Sequence, residues 1–367
     1  MIRVMLVDDE QPARNRLRAL LDGFGELQVV GEAADGMDAL QQIAEVRPDL
    51  VFLDIQMPGA SGTEVAARLP APRPRVVFCT AFDDYALDAF ELHAVDYLLK
   101  PVTRKRLQRT VGKVKDALAS ARRGREMERA KGVQQQLLER GYPTRPGLQV
   151  GAVCCPASEV GGDYYDFISL PQDRLGVALG DVSGKGVPAG LVMAGLQGRL
   201  ETLASQHGGR VDSLIAELNR RTWRTTQPSM YVTFFYGLFD PSSGRFSYVN
   251  AGHPPGLLFR PGRSVPQRLE SGGTPVGLFA SADYQQEEVV LEPGDTIVLY
   301  SDGLIEAEDS EEEEFGLERV AESAARALQG SPEEICNHLI EQVRRHSGSP
   351  QDDCTVLALK AADPPSP

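Results

Sequence analysis

The stretch Glu159-Val160-Gly161-Gly162-Asp163-Tyr164-Tyr165-Asp166-Phe167, continued by Gly180-Asp181-Val182-Ser183-Gly184-Lys185-Gly186, decides how the second half of the chain folds. Phe167 to Leu170 and Leu175 to Leu179 are apolar runs, and Pro171-Gln172-Asp173 between them reads as a turn. Pairing the two runs brings Asp163 and Asp181 to one edge of a hairpin. Carboxylates crowded at one edge repel unless a positive charge sits between them. Hard divalent cations with oxygen ligands supply that charge. The neighbouring glycines let backbone carbonyls approach such a cation closely. Taken alone, Gly-Gly-Asp also fits an ordinary turn, where Asp and Gly cluster for conformational reasons.

Two distant segments weigh against the turn. Leu299-Tyr300-Ser301-Asp302-Gly303 ends an apolar run on Asp-Gly, and Gln351-Asp352-Asp353-Cys354-Thr355-Val356 opens another. Four acidic strand ends of this kind resemble the PPM family of metal-dependent protein phosphatases, and most closely its SpoIIE-like branch. The resemblance covers about residues 130 to 360. It extends to Met230-Tyr231-Val232-Thr233-Phe234-Phe235-Tyr236-Gly237, Asn250-Ala251-Gly252-His253-Pro254-Pro255 and Pro275-Val276-Gly277-Leu278. It implies an α-β-β-α sandwich holding two Mn²⁺ or Mg²⁺ ions. Asp163 and Asp181 are then the shared ligands, and Asp302 and Asp352 serve the second ion. Many relatives carry glycine after the second aspartate and bind metal through its carbonyl. Here Val182 stands at that position, and its carbonyl is available equally. Asp353 is a further candidate metal ligand, and Asp353 and Asp166 are nearby carboxylates suited to orienting water, Asp166 equally suited to a strand-end turn. His253 is a candidate acid for the leaving alkoxide, although a histidine in Gly-His-Pro is more often structural.

At 367 residues the chain exceeds one ordinary core, so two domains are expected. Apolar content of 42% and charged content of 25% suit a soluble globular protein. A net charge of −14 argues against a general nucleic-acid or anionic-membrane surface. No 18-residue apolar run occurs, and the chain opens on the strand-like Arg3-Val4-Met5-Leu6-Val7, so neither a signal peptide nor a membrane span is expected. The five cysteines form no C-x-x-C pair; Cys79 and Cys354 read as buried thiols, which fits a reducing cytoplasm.

Over residues 1–118 five apolar strands alternate with helical stretches, the pattern of a doubly wound parallel sheet with its site at the carboxyl ends of the strands. The strands are expected at 4–7, 29–33, 50–53, 76–79 and 95–99, and the helices at 12–24, 37–46, 62–69, 84–92 and 103–118. Asp8-Asp9 follow the first strand, Asp54 ends the third, Thr80 the fourth, and Lys100-Pro101 follow the fifth. Carboxylates and a lysine at one edge suit a bound Mg²⁺ and a phosphorylatable aspartate. Asp8 and Asp9 alone could merely cap a helix. This stretch resembles the receiver domain of two-component response regulators, and the run from Thr80-Ala81-Phe82-Asp83-Asp84-Tyr85-Ala86 through Asp96-Tyr97-Leu98-Leu99-Lys100-Pro101 is similar to receivers of the LytR type. The resemblance implies Asp54 as phosphoacceptor and Asp8, Asp9, Asp54 and the Gln56 carbonyl as Mg²⁺ ligands. It also implies Thr80 and Tyr97 as the switch pair, Lys100 as the phosphate partner and a cis Lys100–Pro101 bond. The DNA binding usual for LytR outputs is not carried over, because the output here differs.

The segment 119–145 is expected to be a helical linker, 146–360 the phosphatase domain and 361–367 a disordered tail. Leu107, Val111, Val114, Leu118 and Ala121 alternate by four and three. That spacing suits a coiled-coil seam, and equally a helix packed on its own sheet. Residues 122–131 read as a solvated helix or a tether, and Val133, Leu137 and Leu138 open a short amphipathic helix.

The expectation is a response regulator whose output is a metal-dependent serine/threonine phosphatase. The resemblance implies a cognate histidine kinase and a phosphoserine substrate, an anti-sigma-factor antagonist. A homodimer through the receiver or linker is a further expectation. The alternative is a non-catalytic adaptor that binds a sigma factor or its regulator through the same fold. A nucleotide cyclase, suggested by Gly161-Gly162-Asp163, leaves Asp302 and Asp352 unexplained.

Overall fold

A computed structural model describes residues 1–81, 94–138, 141–143, 145–157, 160–227, 229–270, 272–348 and 351–362. The chain divides into two units, Met1–Glu126 and Met127–Pro367.

The first unit runs β1 (Ile2–Val7), α1 (Gln11–Leu21), β2 (Leu27–Ala33), α2 (Gly36–Val46), β3 (Leu50–Leu53), α3 (Gly62–Ala67), β4 (Arg75–Thr80) and β5 (Asp96–Leu99), then enters α4 (Arg104–Leu138). The strands form one parallel sheet in the order β2-β1-β3-β4-β5. All four residues of β3 are buried, as a central strand covered on both faces requires. This is the expected receiver architecture. The helix expected over 84–92 lies outside the described residues, as do residues 82–93 of the LytR-like run.

In α4, Leu107, Val111 and Val114 are fully buried among Val77, Leu98 and Leu17, so their alternating spacing serves the receiver's own core. Of the two readings for residues 122–131 the helix holds, and no separate short helix opens at Val133. One 35-residue helix continues to Leu138, and Val133 is exposed rather than apolar-facing. The physical reason is composition: residues 118–138 are rich in Ala, Arg, Glu, Gln and Lys, all strong helix formers, and contain no proline.

The second unit runs β6 (Leu148–Cys155), β7 (Tyr164–Ser169), β8 (Leu175–Val182), α5 (Val187–Gln206), α6 (Val211–Trp223), β9 (Val232–Asp240), β10 (Arg245–Ala251), β11 (Gly256–Phe259), β12 (Gln267–Leu269), β13 (Gly272–Gly273), β14 (Glu287–Val290), β15 (Thr296–Tyr300), α7 (Asp302–Ile305), α8 (Gly316–Ala327), α9 (Pro332–Ser347) and β16 (Cys354–Ala361). One sheet is ordered β13-β10-β9-β8-β7, with β14 beside β10; the other is β12-β11-β15-β16-β6.

Period-two alternation assigns the layers. On β8, Val177 and Leu179 face the inter-sheet core with Phe235, Leu299 and Leu357. Ala178 and Val182 point the other way, against Leu196, Leu200 and Leu218 of α5 and α6. On the far side, Ile335, Leu339 and Val343 of α9 cover Val298 and Val356. The result is the expected α-β-β-α sandwich. The expected disordered tail is corrected at its start. Ala361 pairs with Leu148 and closes β16, because its amide finds the Asp295 carbonyl at 2.8 Å. Residues 363–367 lie outside the described residues.

Candidate functional site

The carboxyl ends of the receiver strands collect Asp8, Asp9 and Asp54, whose carboxylate oxygens lie within 4.8 Å of one another. Asp8 and Asp54 are buried and Asp9 is exposed. Lys100 bridges them: its Nζ lies 2.6 Å from Asp54 Oδ2 and 2.7 Å from Asp8 Oδ2. Asp54 Oδ1 accepts from the Ile55 amide at 2.6 Å and more weakly from the Gln56 amide at 3.4 Å. Burial raises the Asp54 pKa, the ammonium of Lys100 opposes that rise, and the Asp8 charge adds to it. Burial depresses the Lys100 pKa, but its bonds to Asp54 and Asp8 outweigh it, so the net direction is up. Thr80 ends β4 fully buried, and its Oγ1 has no partner among the described residues. Tyr97 lies half-buried on β5, next to Thr80's strand. The Lys100–Pro101 bond is cis.

In the second unit each sheet sends two of the four aspartates to a common end. The β7–β8 hairpin pairs Tyr164 with Gly180, so Asp163 and Asp181 meet at its edge. Gln172 and Asp173 take left-handed φ angles of 64° and 56° in its turn. From the other sheet, β15 and β16 pair Tyr300 with Val356, leaving Asp302 just past one strand and Asp352 just before the other. Two hydroxyls stitch the pairs together. Thr355 Oγ1 donates to Asp163 Oδ2 at 2.6 Å, and Ser301 Oγ donates to the same oxygen at 2.8 Å. Asp163 Oδ1 is buried and has no partner among the described residues.

The electrostatics record crowding. Burial, then the Asp181 charge, pushes the Asp163 pKa well up. Burial followed by Asp302 and Asp352 raises Asp181 to about 7. Asp302 is raised by burial and Asp352. Glu306, which the sequence reading missed, shares this field; burial and the Asp302 charge raise it. No three carboxylates of this site come as close as the receiver's three, among the described residues. Lys185 Nζ lies 2.9 Å from Asp352 Oδ2, and it reaches none of the other three aspartates. A buried oxygen left without a donor, in a ring of mutually repelling carboxylates, fits hard divalent cations.

Asp353 turns out to be a buckle rather than a water-facing group. Its carboxylate accepts from the amides of Ala157 at 2.8 Å, Gly162 at 2.7 Å and Asp163 at 3.4 Å. The two glycines of the motifs close on it. A Cβ at Gly161 would lie 2.4 Å from Asp353 Oδ2, and one at Gly303 2.2 Å from the Asp353 carbonyl oxygen. Asp166 is buried and holds Tyr164 Oη at 3.0 Å and the Phe167 amide at 2.8 Å, a strand-internal role. Val182 is buried, and a Cβ at Gly162 would lie 2.9 Å from its carbonyl oxygen, so that carbonyl borders the Asp163 loop.

His253 does not suit the acid role weighed for it. It is buried, its Nδ1 pairs with Thr233 Oγ1 at 2.9 Å, and burial lowers its pKa to about 3. A ring that is neutral at working pH has no extra proton to give. Thr233 stands opposite Asp181 in the sheet, so the pair supports that strand.

Gln134 gave no sequence signal. Near the end of α4 it is buried, its Nε2 donating to the Gly161 carbonyl at 2.7 Å and its Oε1 accepting from the Gly161 amide at 3.0 Å. Gln197 of α5 donates to the Leu137 carbonyl at 3.1 Å. Ser301 and Thr355 were legible only as neighbours of Asp302 and Asp353 within the motifs.

The sequence model for Stage II sporulation protein E (SpoIIE) matches residues 171–362, and that for the response regulator receiver domain matches residues 4–112. The phosphoserine phosphatase RsbU of Bacillus subtilis is 35% identical over 181 residues, 49% of this chain and 53% of that protein. The transcriptional regulatory protein BtsR of Salmonella typhi is 51% identical over 116 residues, 31% of this chain and 48% of that protein. The chain thus spans about half the length of the curated relatives it matches. The crystal structure of the RsbU and RsbW domains of a Mycobacterium tuberculosis protein is similar at 31% identity and a TM-score of 0.53, over 61% of this chain and 62% of that one. With the SpoIIE match covering more than half of its residues, the chain belongs to the SpoIIE family and carries a response-regulator receiver domain ahead of the family domain.

Proposed function

We propose that this chain is a metal-dependent protein serine/threonine phosphatase controlled by phosphorylation of Asp54. The observation that carries the reading is Asp163. One of its oxygens is fixed by Ser301 and Thr355, and the other is buried with no donor among the described residues. Asp163, Asp181, Asp302 and Asp352 would hold two Mn²⁺ or Mg²⁺ ions, with the Val182 carbonyl beside them. Such ions supply an activated water at neutral pH and stabilise charge on phosphoryl oxygens. The chain's part is orientation. Ser301 and Thr355 set the Asp163 carboxylate, Asp353 fixes the loop that carries it, and neutral His253 keeps Thr233 in place beside Asp181.

In the receiver, Asp54 would take a phosphoryl group from a histidine kinase. Asp8, Asp9 and the Gln56 carbonyl would hold Mg²⁺, Lys100 would pair with the phosphoryl oxygens, and the unpartnered Thr80 hydroxyl would turn to them, with Tyr97 following. The covalent route from Asp54 to Asp163 runs through α4, near whose end Gln134 is bonded to Gly161. The likeness to a phosphoserine phosphatase, RsbU, supports a phosphoserine protein as substrate, an anti-sigma-factor antagonist in partner switching. No helix among the described residues is long and apolar enough to cross a membrane.

The test is Mn²⁺-dependent hydrolysis of p-nitrophenyl phosphate by wild type and Asp302→Asn, with and without beryllofluoride as a mimic of phospho-Asp54. Loss of at least about a hundredfold in Asp302→Asn is expected, since charge stabilisation by the ions amounts to several kcal/mol. A change with beryllofluoride is expected in wild type. Absence of hydrolysis from both this substrate and phosphoserine proteins would favour the adaptor reading.

A further inference from the structure

The loop between Asp181 and α5 presents a cation that the reading above does not use. Among the described residues, Lys185 is the basic side chain paired with any of the four site aspartates. Its Nζ bonds Asp352 Oδ2 at 2.9 Å and the Gln351 carbonyl at 3.2 Å. The base of the loop is pinned. Ser183 donates its amide to the Tyr231 carbonyl at 2.9 Å, and its Oγ accepts from the Tyr231 amide at 2.9 Å. The tip is not pinned. Gly184 and Gly186 flank the lysine with φ of 97° and 76°, and neither has an atom within 4 Å of where a Cβ would stand. A long flexible cation therefore rides on a glycine-flanked tip directly over the acidic end of both sheets.

We infer that Lys185 pairs with the phosphoryl oxygens of the bound substrate; the inference rests on the phosphatase reading. Asp352 accepts from the Asp353 amide at 2.9 Å and from Lys185 at 2.9 Å, so a metal ion held by Asp352 would compete with the ammonium for this carboxylate. A displaced ammonium would stand beside the place where a phosphate dianion arrives. Its release is easy, because the pair is well exposed, 62% at Lys185 and 48% at Asp352, and an exposed pair contributes at most about 1 kcal/mol. A phosphate dianion carries more charge than one carboxylate and is the stronger partner, and an ammonium serves it as a compact point charge.

The experiment uses the full chain at saturating Mn²⁺ and titrates inorganic phosphate by calorimetry into wild type, Lys185→Gln and Lys185→Arg. Lys185→Gln should weaken the phosphate Kd about tenfold, the scale of one lost charge-assisted hydrogen bond. Lys185→Arg should restore most of it. Mn²⁺ affinity, titrated separately, should stay the same or tighten a few-fold, since a competitor at Asp352 is gone. An unchanged phosphate Kd in Lys185→Gln overturns the inference, leaving the lysine as a counter-ion of Asp352. So does weakened Mn²⁺ binding, which would make the lysine a support of the metal site. Failure of the phosphatase reading is separate: wild type would then hydrolyse no phosphate ester.

Discussion

The receiver site draws three carboxylates within 4.8 Å of one another, while no three of the four aspartates in the SpoIIE-family domain come that close. The difference lies in what neutralises them. In the receiver, Lys100 is largely shielded, 17% exposed, and bridges Asp8 and Asp54 with both contacts under 2.8 Å. At the four-aspartate site of the second unit, Lys185 is the only paired cation among the described residues; it is exposed and reaches Asp352 alone. Asp163 instead receives neutral hydroxyls, and Asp181 rises to about 7. A built-in ammonium lets carboxylates cluster before any ligand arrives. A site that relies on arriving cations keeps its acids apart, with raised pKa values, until that charge arrives.

The comparison breaks if the two sites respond alike to loss of their lysines. Lys100→Ala leaves Asp8 and Asp54 buried without a counter-charge, and should lower unfolding stability by about 2–3 kcal/mol in urea titrations without metal. A loss under about 0.5 kcal/mol would mean that water already screens the receiver pair.

A second contrast concerns buried groups that titrate in opposite directions. The folded pKa of His253 is about 3 and its ordinary value 6.5, so between those limits the unfolded chain binds the extra proton. Stability from this group is therefore present above pH 6.5 and falls as pH falls through the window, by about 1.4 kcal/mol per unit. Asp181 works the other way: its raised pKa makes the folded state bind protons first, adding stability as pH drops from about 7. Comparing His253→Gln with wild type isolates the histidine. The variant should lose about 2 kcal/mol less than wild type between pH 6.5 and pH 5. Parallel pH curves would show that His253 protonates freely in the fold.

The smallest expected effect sharpens how the linker meets the site. Gln134→Leu removes both bonds to Gly161, and should lower stability of the second unit by about 1–2 kcal/mol through unsatisfied backbone groups. Its phosphatase activity should lose its response to beryllofluoride while wild type keeps it. An undiminished response would place the route elsewhere.

Much of this was legible in sequence because it is local. The alternation of Val177, Ala178 and Leu179, the Asp-Gly strand ends and the seam of Leu107, Val111 and Val114 are periodicities that burial converts directly into layers. The motifs also marked which carboxylates gather. The role of each was less legible. Asp353 and Asp352 are neighbours of identical chemistry, yet one accepts three amides inside the fold and the other faces a lysine. His253 became neutral through burial that no Gly-His-Pro motif encodes. The unbroken α4 was within reach of helix propensity, but Gln134 was not, since its partner lies 27 residues away. The sequence by itself determined the two domains, their layers and the set of acidic strand ends, because strand and helix periods are properties of neighbours along the chain. Only the tertiary structure decided which oxygen of Asp163 is held, which aspartate is a buckle and where the linker touches the site. Those depend on side chains from distant segments competing for the same few donors.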